Sequence, residues 1–287
     1  MASMREIKRR KATIESTGQI TAAMKVVSTA KLQKAKGKVE ASKPYFQLMY
    51  DAVTSILEKS ENIDHPYLQA GKSRKKAVIV VTSNRGLAGG YNNNVVKLLT
   101  QGDFAKEDVV VYAVGRKGRD TLRRNGYEIA ADYSDVMNGP MFSDAADIGR
   151  AVLEAFSNQE VGEIYIAYTI FKNTITQIPT LMQLLPVAVD EKKEKENSVD
   201  DLVLMNYEPE AEEALEQIIP KYVNSLIYGA LCEAIASENG ARMQAMDSAS
   251  NNAEEMIADL SLKYNRARQA SITQELTEIV AGASAIE

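Results

Sequence analysis

From Pro220 to its end the chain carries no further proline and only three glycines, Gly229, Gly240 and Gly282. Over that stretch a seam repeats at alternating steps of three and four: Tyr222, Ser225, Gly229, Cys232, Ala236, Asn239, Met243, Met246, Ser250, Ala253, Ile257, Leu260, Tyr264 and Ala267. That spacing belongs to a helix that packs along one stripe against another helix. Roughly 60 residues of helix span about 90 Å at 1.5 Å per residue. A compact globule of 287 residues has a radius of gyration of about 19 Å, hence a diameter of roughly 50 Å. The helix outruns the globule, so it is expected to project and to need a partner.

The partner is at the other end of the chain. From Met4 to about Lys59 there are one proline and two glycines, and a second seam runs Leu32, Ala35, Val39, Ser42, Phe46, Met49, Val53, Ile56. Upstream the same register gives Ile7, Ile14, Thr21 and Ser28, smaller and more polar. Pro44 removes one backbone donor and is expected to kink this helix. Alanine, serine and glycine let two backbones come close but bury little apolar area. A two-helix rod on such a seam is marginal alone, so its expected support is an enclosing partner.

Charge is segregated. Residues 1–43 hold eleven basic side chains against three acids, a net of +8, and residues 190–216 hold eleven acids against three lysines, a net of −8. A basic end suggests an acidic partner surface; taken alone, it is read first as a solvated helix face. The formal charge of −5 argues against a nucleic-acid binder. No run approaches the eighteen apolar residues of a membrane span. The basic start lacks a cleavage-like break, so it is read as mature structure without a targeting segment, in a bacterial protein facing the cytoplasm. One cysteine, Cys232, excludes an internal disulfide, and one histidine, His65, excludes a histidine-rich metal centre.

Between the helices the pattern becomes α/β. Ala77–Val81, Val109–Val114 and Ile164–Tyr168 are short continuous apolar runs, as in strands buried on both faces. A helix is expected from Asp144 to Phe156 after a Ser143 cap. Ile178–Leu185 reads as a further strand, pushed to an edge by Pro179 and Pro186. The fold class is therefore α/β: a long antiparallel coiled coil of N- and C-terminal helices plus a central Rossmann-like domain. The expected boundaries are 1–60 and 217–287 for the helices, 75–190 for the α/β domain and 190–216 for an acidic connection.

Chemistry is harder to find. After the first strand comes Thr82-Ser83-Asn84-Arg85-Gly86-Leu87-Ala88-Gly89-Gly90-Tyr91-Asn92, a glycine-rich turn where doubly wound folds cradle phosphate. Its spacing is not G-x-G-x-x-G, and no acid ends the second strand to hold a ribose. Gly71-Lys72-Ser73 precedes a strand and lacks the upstream glycine of a P-loop. The turn is read as a structural or contact loop. His65 before Pro66 is read as structural, Cys232 as a small core residue, and Met24, Met243, Met246 and Met256 as packing. No nucleophile with base, carboxylate pair or metal spacing stands out, so the chain is not expected to be an enzyme.

The residues then point to a family. Ile20-Thr21-Ala22-Ala23-Met24-Lys25-Val26-Val27 with Ala30-Lys31-Leu32 resembles the N-terminal helix of the gamma subunit of F-type ATP synthases. Arg85 to Asn92 resembles that family's central loop, with Ala88 where many members carry cysteine. Ala241 to Met246 and Tyr264 to Ala283 resemble its C-terminal helix and signature. With no long central insertion bearing paired cysteines, the chain resembles the bacterial type.

The resemblance implies a rotor shaft without catalytic residues, cofactor or metal, on the cytoplasmic side of the cell membrane. Its partners would be the hexameric ring of alpha and beta subunits, epsilon and the ring of c subunits, with no nucleic acid and no membrane insertion. Contacts with beta would come from Arg9, Arg10, Met24, Arg85, Gly86, Leu87, Ala88, Gly89, Arg242, Arg268, Gln269 and Thr273. Spacing adds to this, since Gln269 and Thr273 stand i, i+4 and share one helix face, with Arg268 flanking it. Leu276, Ile279, Val280 and Ile286 would turn in an apolar bearing, and Tyr207 and Glu208 would belong to the foot on the c ring. Two other readings stay open on the residues alone. A coiled-coil scaffold with a degenerate nucleotide-binding-like domain would form a self-sufficient homodimer. An α/β enzyme acting on a phosphorylated substrate would bind ligand by itself.

Overall fold

The computed structural model describes residues 4–59, 65–187 and 211–284. Two helices dominate: α1, Met4–Lys59, and α5, Ala211–Ser284. Helix α5 starts upstream of the expected 217, taking in the end of the acidic connection. Glu213 suits the first turn of a helix, where carboxylates meet unpaired N–H groups. The remaining part of the connection, with Tyr207 and Glu208, lies outside the described residues, as does Ile286.

The chain divides into two compact units. The first unit holds residues 1–29 and 242–287. Its helical segments run antiparallel, because partner numbers fall as residue numbers rise. An added Cβ on Gly18 would stand 3.3 Å from Ala253 Cβ, Thr21 Oγ1 lies 2.8 Å from Ser250 Oγ, and Lys25 Nζ donates to Asp247 Oδ1 at 2.6 Å. The seam read from the sequence is the covered one: Thr21, Ser28, Met246, Ala253 and Leu260 are buried, and Ile7, Ile14, Ile257, Tyr264 and Ala267 are half-buried. Past Ala267 nearly every described side chain of α5 is exposed. The register accounts for this, since it sets the start of α1 about level with that point.

The second unit, 30–241, contains a five-stranded sheet in the order β3-β2-β1-β4-β5. The strands are β1 (Lys76–Val81), β2 (Val109–Val114), β3 (Glu128–Asp132), β4 (Glu163–Phe171) and β5 (Gln177–Leu185). All neighbours are parallel except β5, which runs antiparallel to β4 at the edge. β3 was not foreseen: it is a short, alternately exposed strand at the other edge, without an apolar run to mark it.

Side chains alternate between the faces of β1. Val78 and Val80 pack with Val95, Val96 and Leu99 of α2 (Tyr91–Thr100) and Leu122 of α3 (Arg116–Arg124). Ile79 and Val81 pack with Ile148 and Val152 of α4 (Phe142–Ser157), Ile56 of α1, and Ile219, Val223, Ile227 and Leu231 of α5. The root of the long helix thus belongs to the core of the α/β unit. Gly149 of α4 allows the close approach to α5, as an added Cβ would fall 1.9 Å from Asn224 Oδ1. The cap of α4 is not Ser143 but Met141, whose N–H donates to the Asp144 carboxylate at 2.8 Å. The Ser143 reading placed the cap two residues too late; the carboxylate of Asp144, at the third helical position, reaches back to the cap N–H instead. His65 is structural, its Nδ1 accepting the Tyr67 N–H at 3.2 Å to cap a short 3₁₀ turn, Pro66–Leu68. Cys232 is buried on the seam, and burial pushes its thiol pKa up.

Candidate functional site

In this sheet order the chain leaves β1 in one direction to β2 and later returns on the other side to β4, so the crevice at the carboxyl ends of β1 and β4 is the topological switch point. Doubly wound folds bind nucleotides there. Here α5 crosses it. The Tyr91 hydroxyl, at the start of α2, donates to the Ala234 carbonyl at 3.2 Å, and Ser237 Oγ donates to the Thr169 carbonyl at 3.0 Å. One turn earlier, the Glu233 carboxylate accepts the Phe171 N–H. A phosphate would have to displace a helix rooted in the core. Isothermal calorimetry of the isolated chain is therefore expected to show no ATP binding in the micromolar range; micromolar binding would overturn the assignment of the loop to contact.

Glu233 makes a second measurable point. Burial raises its carboxyl pKa above the usual range, while the nearby Lys43 ammonium and the Phe171 N–H pull it down less strongly, and Oε2 has no hydrogen-bond partner. A carboxyl with a raised folded pKa binds its proton more tightly in the native state. Stability therefore falls as pH rises from the unfolded carboxyl's range through the folded pKa. Glu233→Gln, which keeps an acceptor for Phe171, is expected to melt higher than the parent at pH 7 and to lose that advantage at pH 4. An equal or lower melting temperature at pH 7 would contradict this.

The glycine-rich loop is braced from beneath by hydrogen bonds. Asn92 Oδ1 accepts the Ser83 N–H at 2.9 Å and the Ser83 hydroxyl at 3.0 Å. Asn84 Nδ2 donates to the Ser134 carbonyl at 2.7 Å, and Asn84 Oδ1 accepts the Arg116 N–H at 3.1 Å. The Lys117 N–H donates to the Ser83 carbonyl at 3.0 Å. Above this footing Ala88 is buried, Arg85 and Gly89 are exposed, and Gly86 is half-buried. Leu87 is 63% exposed with φ +62°, the left-handed region that a leucine seldom occupies.

The other expected contact residues divide between the units. In the first unit, Arg9, Arg10, Arg268, Gln269 and Thr273 are exposed, and Met24 and Arg242 are half-buried. Thr273 Oγ1 donates to the Gln269 carbonyl at 2.9 Å, so its hydroxyl proton is held by its own helix. Arg268 and Gln269 are left as the side chains with donors to offer. Leu276, Ile279 and Val280 are exposed on the segment past the paired seam. Sequence reasoning passed over Arg116 and Lys117, since a basic helix start looks like solvated surface; only their N–H bonds to the Asn84 side chain and the Ser83 carbonyl tie it to the loop. Among the described residues no cluster of histidine, cysteine, aspartate or glutamate could hold a metal, and no helix is long and apolar enough to cross a membrane.

Helix segments paired antiparallel along a seam of small residues, and a five-stranded α/β sheet whose crevice is crossed by α5, define the class of fold. A family model described as ATP synthase matches residues 3–286. The ATP synthase gamma chain of Lachnoclostridium phytofermentans is 69% identical over 290 residues, covering 100% of both chains. A gamma chain described as sodium ion specific, from Acetobacterium woodii, is 44% identical and covers 99% of each. Among solved structures, a chain of the Euglena gracilis mitochondrial ATP synthase shares the fold with a TM-score of 0.68 at 19% identity, covering 99% of this chain and 94% of that one. The chain belongs to the ATP synthase gamma chain family.

Proposed function

We propose that the chain is the non-catalytic central shaft of a rotary ATP synthase, coupling ion-driven rotation of a c ring to ATP synthesis or hydrolysis in a ring of alpha and beta subunits. The observation that carries this reading is the stretch of α5 past Ala267, a single exposed helix bearing Arg268 and Gln269 and then Leu276, Ile279 and Val280. Polar groups at one level give direction-dependent contacts, and apolar groups at the next give contact without fixed partners. An asymmetric shaft then presents a different face to each beta subunit, and its angle biases their nucleotide affinities in turn. This is coupling through differential contacts.

Arg85–Gly89, Arg9, Arg10, Met24, Arg242 and Thr273 join the contacts with beta, and Tyr207 and Glu208 belong to the foot on the c ring, beside epsilon. Ile286 continues the apolar bearing. The subunit is peripheral, on the cytoplasmic side of the cell membrane, and it needs no cofactor of its own. Solved relatives sharing the fold come from assemblies described as central stalk with c ring and as F1 with c ring, which accords with these partners.

The reading is tested in the assembled complex. A disulfide from Leu87→Cys to a cysteine on beta is expected to abolish ATP turnover, with reduction restoring it; turnover that persists in fully cross-linked complex would refute a moving shaft. Tyr207→Cys is expected to cross-link to the polar loop of subunit c. Products with alpha or beta alone would reject the foot.

A further inference from the structure

Three times the chain places glycine directly after asparagine: Asn125-Gly126, Asn138-Gly139 and Asn239-Gly240. With no Cβ on the second residue, the glycine nitrogen can close on the asparagine side-chain carbonyl carbon. The structure separates the three. Asn239 is buried inside α5, where its Nδ2 donates to the Ile235 carbonyl at 2.8 Å. Asn125 and Gly126 close α3 with the paired bonds of a glycine-terminated helix. There the Gly126 N–H donates to the Arg123 carbonyl at 2.9 Å and the Tyr127 N–H to the Leu122 carbonyl at 3.0 Å. Asn138 and Gly139 are both exposed, and the Asn138 side chain makes no hydrogen bond among the described residues. The Gly139 N–H is held by the Val136 carbonyl at 3.2 Å. That bond ends a short 3₁₀ turn, Ser134–Asn138, an element whose hydrogen-bond geometry is poor.

The same turn supports the loop after β1. Its first carbonyl, that of Ser134, accepts Asn84 Nδ2 at 2.7 Å, and the Tyr133 N–H just before it donates to the Ala113 carbonyl at 2.8 Å. Met137 on one side of the exposed pair and Pro140 on the other are buried. Asn138 and Gly139 therefore bridge two anchored residues, and a change in backbone length between them is passed to the turn. The space around the pair is open, since nothing lies within 4 Å of a Cβ added to Gly139.

We propose that Asn138 is a site of spontaneous modification, converting to aspartate and isoaspartate, and that the isoaspartate loosens the support under the 83–89 loop. The reaction uses only water. The Gly139 nitrogen, having given its proton to hydroxide, attacks Asn138 Cγ; the new C–N bond forms as the bond from Cγ to Nδ2 breaks, and the leaving nitrogen takes a proton from water and departs as ammonia. Water then opens the resulting five-membered imide at either carbonyl. One opening gives aspartate. The other gives isoaspartate, whose backbone runs through Cβ and is longer by one atom. Nothing is oxidised or reduced. The formal charge of −5 becomes one unit more negative.

The test ages the purified full-length chain in mildly alkaline buffer and follows it by ion exchange and peptide mapping. The acidic form that accumulates first is expected to carry the mass gain of –NH₂ replaced by –OH at Asn138, part of it as isoaspartate, with Asn239 unchanged. Asn138→Gln is expected to abolish that form. Gly139→Ala is expected to slow it without unfolding the chain, because Gly139 has an extended backbone, φ 169°, and open space where the Cβ would stand. Asn125 or Asn239 reacting before Asn138, or no product at Asn138, overturns the site. The effect on the loop is read separately, as the rate of tryptic cleavage after Arg85. Aged parent is expected to be cut several-fold faster than aged Asn138→Gln, whereas unaged Asn138→Asp, which has the charge without the extra backbone atom, is expected to match the unaged parent. Equal rates in the two aged chains, or fast cleavage of Asn138→Asp, overturn the link between isoaspartate and the loop.

Discussion

Gly115→Ala is expected to destabilise the α/β unit by about 4 kcal/mol, the sum of backbone strain and overpacking. Gly115 follows β2 with φ +114°, and an added Cβ would stand 2.0 Å from the Thr82 carbonyl oxygen and 2.8 Å from Thr82 Oγ1. Neither atom is free to move. The Thr82 N–H donates to the Val114 carbonyl at 2.7 Å, and Thr82 Oγ1 accepts the Gly118 N–H at 2.9 Å. Gly89→Ala is the control. It also has positive φ, at +55°, but nothing lies within 4 Å of an added Cβ, so about 1 kcal/mol is expected there. Urea melts of the two variants separate the effects. Equal midpoints would mean that the Thr82 contact is not what makes Gly115 necessary.

Replacing Arg268 and Gln269 together by alanine is expected to slow multisite ATP turnover of the assembled complex about tenfold or more, and to weaken assembly. A charge-assisted bond contributes roughly 1.5–3 kcal/mol where water is excluded, and each 1.36 kcal/mol on a barrier is about tenfold in rate. Both side chains are exposed and take no part in the α5 seam. Far-ultraviolet circular dichroism of the isolated chain should therefore match the parent, which separates a lost contact from a lost helix. A double variant that assembles and turns over ATP at the parental rate would remove these residues from the contact with beta.

Much of the architecture was legible because the physics is periodic. Leu32, Val53, Met246 and Leu260 repeat at helical spacing and are buried; β1 and β2 are covered on both faces and therefore uniformly apolar. What escaped is what periodicity does not encode. β3 is an edge strand whose Glu128 and Asp132 face solvent, so it carries no apolar run. The start of α5 hid among glutamates that equally suit a solvated linker. The candidate surface divided in the same way. Arg268 and Gln269 stood out through motif resemblance and helix spacing, whereas the bracing of the 83–89 loop by the start of α3 rests on hydrogen bonds between segments some thirty residues apart, which linear order conceals.

Where α5 crosses the sheet, Glu233, Ala234 and Ser237 are tied within little more than one turn to Phe171, Tyr91 and Thr169, on two different elements. Mechanically this is a collar. A twisting load arriving along α5 meets several hydrogen bonds abreast, so each bears a fraction of the shear, whereas bonds met one after another would open in sequence. The apolar side chains below, Ile227 and Leu231 among them, resist pulling apart but oppose sliding poorly, having no directional bonds. The polar collar is thus the part of the joint suited to transmit torque, and the greasy root beneath it the part suited to keep the axle seated.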